Sequence, residues 1–176
     1  AGLGTLARVV ASGEAIYRRK LSFEEAAFRI RGYWEPYHEA LQGLLNTTRH
    51  RFGGCLLIDC HSMPAQSCGA RAGRPDIVLG DAHGTACSPR ITRAAEMLLT
   101  GMDYHVRRND PYAGGYVTRH YGRPREGIQA LQIEVARPLY MDESRLQRTN
   151  GFSTLQRDLS VLAIELARQA PELLRA

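Results

Sequence analysis

The sequence predicts an α/β domain built on a largely parallel or mixed sheet. Short apolar runs of strand length, Cys55–Ile58, Ile77–Leu79 and Ala130–Val135, alternate with longer segments whose apolar residues recur at helical spacing. The chain has 176 residues, 44% of them hydrophobic and 23% charged, which suits one soluble domain with a core of its own.

The elements follow in order. The first twenty residues mix glycine with the alternating stretch Leu6–Val10 and read as a short strand or turn. Ser22 is a helix N-cap candidate, and Glu25 three residues on completes a capping box. Phe23, Ala27, Ile30, Trp34, Tyr37 and Leu41 then keep helical spacing, predicting a helix over 23–47 with a kink at Pro36. Gly53-Gly54 breaks the pattern, and Cys55–Ile58 reads as a buried strand. Residues 64–75 hold Pro, Gly, Ser and Arg and read as a surface loop. Ile77–Leu79 is a second strand, 90–101 a helix after Pro89, and Tyr104–Val106 a third short strand. Residues 109–127 are rich in glycine and read as loop. Ala130–Val135 alternates as a strand should. A final helix over 151–169 carries Phe152, Leu155, Leu159, Leu162 and Leu166 at helical spacing, with Pro171 expected to interrupt or end it.

Charge and composition narrow the partners. The net charge is +5 with a pI near 9.3, and Lys20 is the only lysine. The arginines are scattered rather than clustered, which argues against a nucleic-acid surface and suits a small anionic substrate. No apolar run approaches the roughly 20 residues of a membrane helix. The chain opens without the basic and apolar pattern of a secretory signal, so a cytoplasmic protein with reduced thiols is expected. Cys55, Cys60, Cys68 and Cys87 match no zinc-finger spacing.

Four stretches could carry chemistry. In Asp59-Cys60-His61 an extended backbone puts Asp59 and His61 on one face. There His61 can ligate a metal with Asp59 orienting it or serving the chemistry, or both can hydrogen-bond structurally at a strand end. Residues 108–122 offer Asn109, Tyr112, the Gly114-Gly115 pair and Arg119, which can clamp a carboxylate; a plain glycine loop is the other reading. Gln132 and Glu134 share one face of their strand. Glu134 is either a general base made more basic by burial or half of an ion pair with Arg137 or another arginine. Asp76, Asp81 and His83 flank the second strand, and His83 is either a further metal ligand or a solvated loop residue. No nucleophile elbow, phosphate-binding loop or dinucleotide glycine pattern is present.

These stretches together resemble the N-formylglutamate amidohydrolase family. The matching residues run Ile58-Asp59-Cys60-His61-Ser62-Met63-Pro64, then Asp76–Asp81, then Asn109–Tyr116, then Gln132–Glu143, with Tyr33–His38 upstream. The resemblance implies a three-layer α/β/α hydrolase related to zinc carboxypeptidases and aspartoacylases. It implies zinc as cofactor and release of formate from N-formyl-L-glutamate in histidine degradation. It casts His61 as a zinc ligand and Glu134 as the base, with Asp59 beside them. Asn109, Tyr112, Gly115, Arg119, Gln132 and Arg137 would hold the substrate. Further metal ligands are expected in a Pro-His-Ser-Gly-type stretch upstream of residue 1, so residues 1–176 read as a single amidohydrolase domain lacking its N-terminal part; Asp59, Asp81 or His83 are the candidates to stand in. The alternatives are hydrolysis of another N-acyl amino acid or acidic peptide, or metal-free binding of an anion.

Overall fold

The computed structural model describes residues 4–10, 13–65 and 73–174. Cys68 and most of the loop expected over 64–75 lie outside the described residues. The chain divides into two compact units, Ala1–Thr47 and Thr48–Ala176.

In the first unit, Val9 and Ala15 form an isolated antiparallel bridge, so the opening segment is a turn. Helix α1 (Phe23–Arg29) begins at the expected capping box. Ser22 Oγ accepts the Glu25 N–H at 3.2 Å, and the Glu25 carboxylate accepts the Ser22 N–H at 2.8 Å. A π-helical segment, Ile30–Trp34, separates α1 from α2 (Glu35–Phe52). The irregularity expected at Pro36 therefore falls in the turn before it. Pro36 has no N–H for the carbonyl four residues back, and its ring crowds that carbonyl; widening the turn, with the Glu35 N–H reaching Ile30 O, relieves the conflict.

The second unit holds a four-stranded sheet in the order β1-β4-β2-β3. Its strands are β1 (Cys55–Met63), β2 (Ile77–Gly80), β3 (Val106–Arg108) and β4 (Ile128–Ala136). β1 runs parallel to β4 and β2 parallel to β3, while β2 and β4 are antiparallel, so the sheet is mixed and mostly parallel as expected. β1 does not stop at Ile58. Its register with β4 continues from Cys55↔Ile128 to Met63↔Ala136, because the backbone bonds to β4 carry it through its polar half. Asp59 and His61 thus lie within the strand rather than beyond its end.

Helix α3 (Pro89–Thr100) starts where Ser88 Oγ accepts the Arg90 N–H at 3.3 Å, with Pro89 in the first turn, where no N–H is needed. A short helix, α4 (Tyr116–Tyr121), occupies part of the stretch read as loop. Glycines at 114, 115 and 122 bracket it, and Thr118 and Tyr121 form its buried side. The last helix, α5 (Gly151–Leu173), passes through Pro171. The proline does not end it because Leu173 and Leu174 pack on the core, which rewards one more turn. A two-stranded ribbon, β5 (Met141–Asp142) with β6 (Gln147–Arg148), precedes α5.

One face of the sheet makes the main core. Ile77 and Leu79 of β2 and Leu131, Ile133 and Val135 of β4 pack with Ile91, Ala95 and Leu99 of α3 and with Leu155, Leu162 and Leu166 of α5. Alternation along β4 sends the odd-numbered residues to this face and the even-numbered ones to the other. Asp158 is the one charged residue α5 buries among the described positions, and Tyr104 donates its hydroxyl to Asp158 Oδ2 at 2.9 Å.

Burial, together with the bond to Asp158 and its charge, pushes the Tyr104 hydroxyl from 10.0 up to about 12. An acid whose folded value is raised contributes stability below its unfolded value and loses that contribution as pH rises through the folded value. Tyr104→Phe should therefore cost roughly 1–3 kcal/mol at pH 8. The deficit should shrink between pH 10 and about 12, read as the difference in urea midpoints. A deficit constant with pH would break the link between Tyr104 and Asp158.

Candidate active site

The even-numbered face of β4 and the odd-numbered face of β1 meet through register alone. Asp59 pairs with Gln132 and His61 with Glu134; on the other side of β4, Gly80 pairs with Gln132 and Val78 with Glu134. Paired residues project to the same side, so the structure gathers Asp59, His61, Gln132 and Glu134 into one polar group. His61 Nε2 lies 3.0 Å from Asp59 Oδ1. Gln132 Nε2 donates to Glu134 Oε1 at 3.0 Å. Burial raises the Glu134 carboxyl above its usual range; Asp59 pushes it further up, and His61 and Arg137 pull it down.

The loop after β3 closes over this group. Asn109, in the left-handed region at φ 59°, locks the start of the loop to the end of β2. Its Oδ1 accepts the N–H groups of Asp81 at 3.1 Å and His83 at 3.4 Å, and its Nδ2 donates to Asp81 Oδ1 at 2.9 Å. The loop then lies flat on Gly80, and Gly115 N–H reaches Gln132 Oε1 at 2.6 Å. Tyr112 packs beside Met63, Val78 and Ala136 on the same face. Gly114, at φ +123°, sits under the side chain of Thr118.

The remaining expected residues fall as follows. Arg119 is exposed on α4, its Nε donating to Gly114 O at 3.0 Å. Arg137 begins the turn after β4; it bonds Ser62 Oγ and Glu143, both at 3.4 Å, and makes no ion pair with Glu134. Asp81 is committed within the fold, accepting from Gly84 N–H, Thr92 Oγ1 and Asn109 Nδ2, each at 2.9 Å. Both of its oxygens are thus engaged within the fold, and His83 is exposed in a left-handed turn. Thr118 is a member of the group that the sequence reading missed. It is fully buried, its hydroxyl 3.4 Å from Asp59 Oδ2 and 3.5 Å from Gln132 Oε1. Its only signal was a hydroxyl three residues past the Gly114-Gly115 pair.

Among the described residues, no three His, Cys, Asp or Glu side chains come together as a metal cage. What is present is one imidazole whose Nε2 faces Asp59, leaving Nδ1 to coordinate. That arrangement fits one ligand with its orienting carboxylate and falls short of the usual three. A groove of about 690 Å³ lies between β1 and α5; Ile58, Ile133, Leu155 and Leu159 line it together with His61 and Ser62, while neither Asp59 nor Glu134 does.

The closeness of loop to strand is testable. A Cβ at Gly80 would sit 2.8 Å from Gly114 N and 2.9 Å from the Ala113 carbonyl carbon. Gly80→Ala should cost roughly 1–3 kcal/mol of stability in urea denaturation. It should also free the Gly115 amide to exchange with solvent. A variant as stable as the parent, with Gly115 still protected, would show that the loop does not rest on Gly80.

Comparison with known proteins adds to this geometry. The family model for N-formylglutamate amidohydrolase matches residues 1–141. An N-formylglutamate deformylase of Pseudomonas aeruginosa is 34% identical over 135 residues, 74% of this chain and 51% of that protein. One from Pseudomonas putida is 35% identical over 136 residues, 75% and 51% of the two chains. The crystal structure of N-formylglutamate amidohydrolase from Ralstonia eutropha JMP134 superposes with a TM-score of 0.87 at 39% identity, covering 98% of this chain and 62% of that one. A gene product of Agrobacterium tumefaciens, at 17% identity and a TM-score of 0.62 over 86% of this chain and 57% of that one, shares the fold. The chain spans about half the length of the curated relatives it matches. All four stretches that surround the buried carboxylate, from Asp59-Cys60-His61 to Gln132-Ile133-Glu134, fall within the matched residues or end just beyond them: the chain belongs to the N-formylglutamate amidohydrolase family.

Proposed function

We propose that this chain carries the base and one metal-binding imidazole of an amidohydrolase that releases formate from N-formyl-L-glutamate. The single observation that supports this most is Glu134: a carboxylate on a wholly buried strand, made more basic by burial, beside the His61–Asp59 pair. Such a group is suited to take a proton from water near neutral pH. In this reading Glu134 removes the proton of the attacking water and returns it to the amine of the departing glutamate. Asp59 holds the imidazole of His61 in one tautomer and orientation. Arg137, at the end of β4, and Arg119, on α4, are the cations offered to the substrate's carboxylates, with Tyr112 and Gly115 at the loop.

Zinc, when bound, would polarise the formyl carbonyl and acidify the attacking water. His61 Nδ1 is the ligand this chain would contribute, and the remaining ligands come from outside the described residues. The same reading takes the protein to be cytoplasmic, acting in histidine degradation, with a three-layer architecture of zinc-carboxypeptidase type. No described helix is long and apolar enough to cross a membrane. A substrate with another acyl group or side chain keeps every role above unchanged.

The test is formate release from N-formyl-L-glutamate by the full-length protein, stripped of metal, before and after zinc is restored. A panel of N-formyl and N-acetyl amino acids runs alongside. Zinc-dependent release, highest with N-formyl-L-glutamate, is expected. Glu134→Gln should then lower kcat by about 10²–10⁴-fold while zinc content and fold stay as in the parent. Full activity in that variant would remove Glu134 as the base, and preference for another substrate in the panel would replace the acyl donor.

A further inference from the structure

Gln132 and Glu134 occupy alternate positions on one face of β4, 3% and 7% exposed. A buried carboxamide has one accepting end and one donating end, and its surroundings decide which points where. Here the decision is unambiguous. The backbone N–H of Gly115 can only donate, and it lies 2.6 Å from Gln132 Oε1. The NH₂ end must then face Glu134, where it donates to Oε1 at 3.0 Å. The opposite orientation would set two donors against each other at Gly115 and two acceptors against each other at Glu134.

We propose that Gln132 is a positioning residue for Glu134 rather than a substrate contact: it relays the position of the loop, through Gly115 N–H, to one oxygen of the carboxylate. Oε1 is thereby held, the side chain is fixed in one rotamer, and Oε2 is left to face the reacting water. The Thr118 hydroxyl sits between Asp59 Oδ2 and Gln132 Oε1, within 3.5 Å of each, and its single proton joins the two halves of the site. The base is therefore correctly aimed only when the loop from Pro111 to Gly115 lies down on Gly80. This inference rests on the reading of Glu134 as the general base.

Two isosteric variants and two readouts test it. Gln132→Met removes both hydrogen bonds. Gln132→Glu keeps an acceptor for Gly115 N–H but puts a carboxylate against Glu134. With N-formyl-L-glutamate, both variants should lose kcat by roughly ten- to a hundredfold, with KM changed by less than about twofold. If neither bond of Gln132 positions the base, Gln132→Met will keep the parent kcat. If Gln132 contacts substrate, KM will rise with kcat preserved. Either result overturns the proposal.

The second readout needs no turnover. In ¹⁵N-labelled protein, the side-chain amide signals of Gln132 are those that vanish in Gln132→Met. Glu134→Ala should shift both of them and speed their exchange with water. Signals indifferent to Glu134→Ala would overturn the proposal whatever the activity. Signals that respond, in a protein that releases no formate, would uphold the positioning role and refute the substrate reading instead.

Discussion

Strand β4 is buried along all nine of its residues, yet it carries Gln129, Gln132 and Glu134. Taking such groups out of water is costly unless each finds a partner, and much of the second unit is arranged to supply one. Gln129 Oε1 accepts the Ser88 N–H at 2.7 Å, which pins the start of α3 to the sheet. Gln132 is met by the loop from Pro111 to Gly115, and Glu134 is met by Gln132. Among the described residues no buried side-chain nitrogen or oxygen lacks a hydrogen-bond partner. The polar half of the strand is thus a framework of directed bonds, and it fixes where the loop, α4 and the carboxylates lie.

The two faces of the sheet divide the work. Leu131, Ile133 and Val135 of β4 join α3 and α5 in an apolar core whose stabilisation is non-directional and scales with area. The even-numbered residues face α4 and the glycine loop, where stability is directional and depends on single hydrogen bonds. Backbone shape matters more on this second face. Gly80 has no room for a side chain beneath the loop, and Asn109 accepts a left-handed conformation in order to bond Asp81. An asparagine tolerates that conformation better than most residues, because its short polar side chain can repay the strain locally.

Electrostatics in the site follows from this packing. Desolvation makes Glu134 hold its proton more tightly than a surface carboxylate does, and the nearby Asp59 adds to the effect. His61 and Arg137 oppose it, and neither is buried. Arg137 directs its guanidinium to Ser62 and Glu143, so it tempers the charge of Glu134 from a distance without forming an ion pair. Among the described residues, no ion pair occupies the second oxygen of Glu134.

The sequence by itself determined the strands and helices that a local period can encode. Alternation placed Asp59 with His61 and Gln132 with Glu134, and the Ser22–Glu25 pair marked the start of α1. Local rules went astray where long-range packing outweighed them. β1 ran on past Ile58 because β4 paired with it, α5 ran through Pro171 because Leu173 and Leu174 had a core to reach, and α4 formed between glycines that read as loop. The tertiary structure alone decided that the two polar pairs meet, that Asp81 and Asn109 are spent on each other, and that Thr118 belongs beside them. Those facts depend on inter-strand register and on the path of a loop. Both are set by which buried groups satisfy one another across the sheet, and no spacing within a single segment records that.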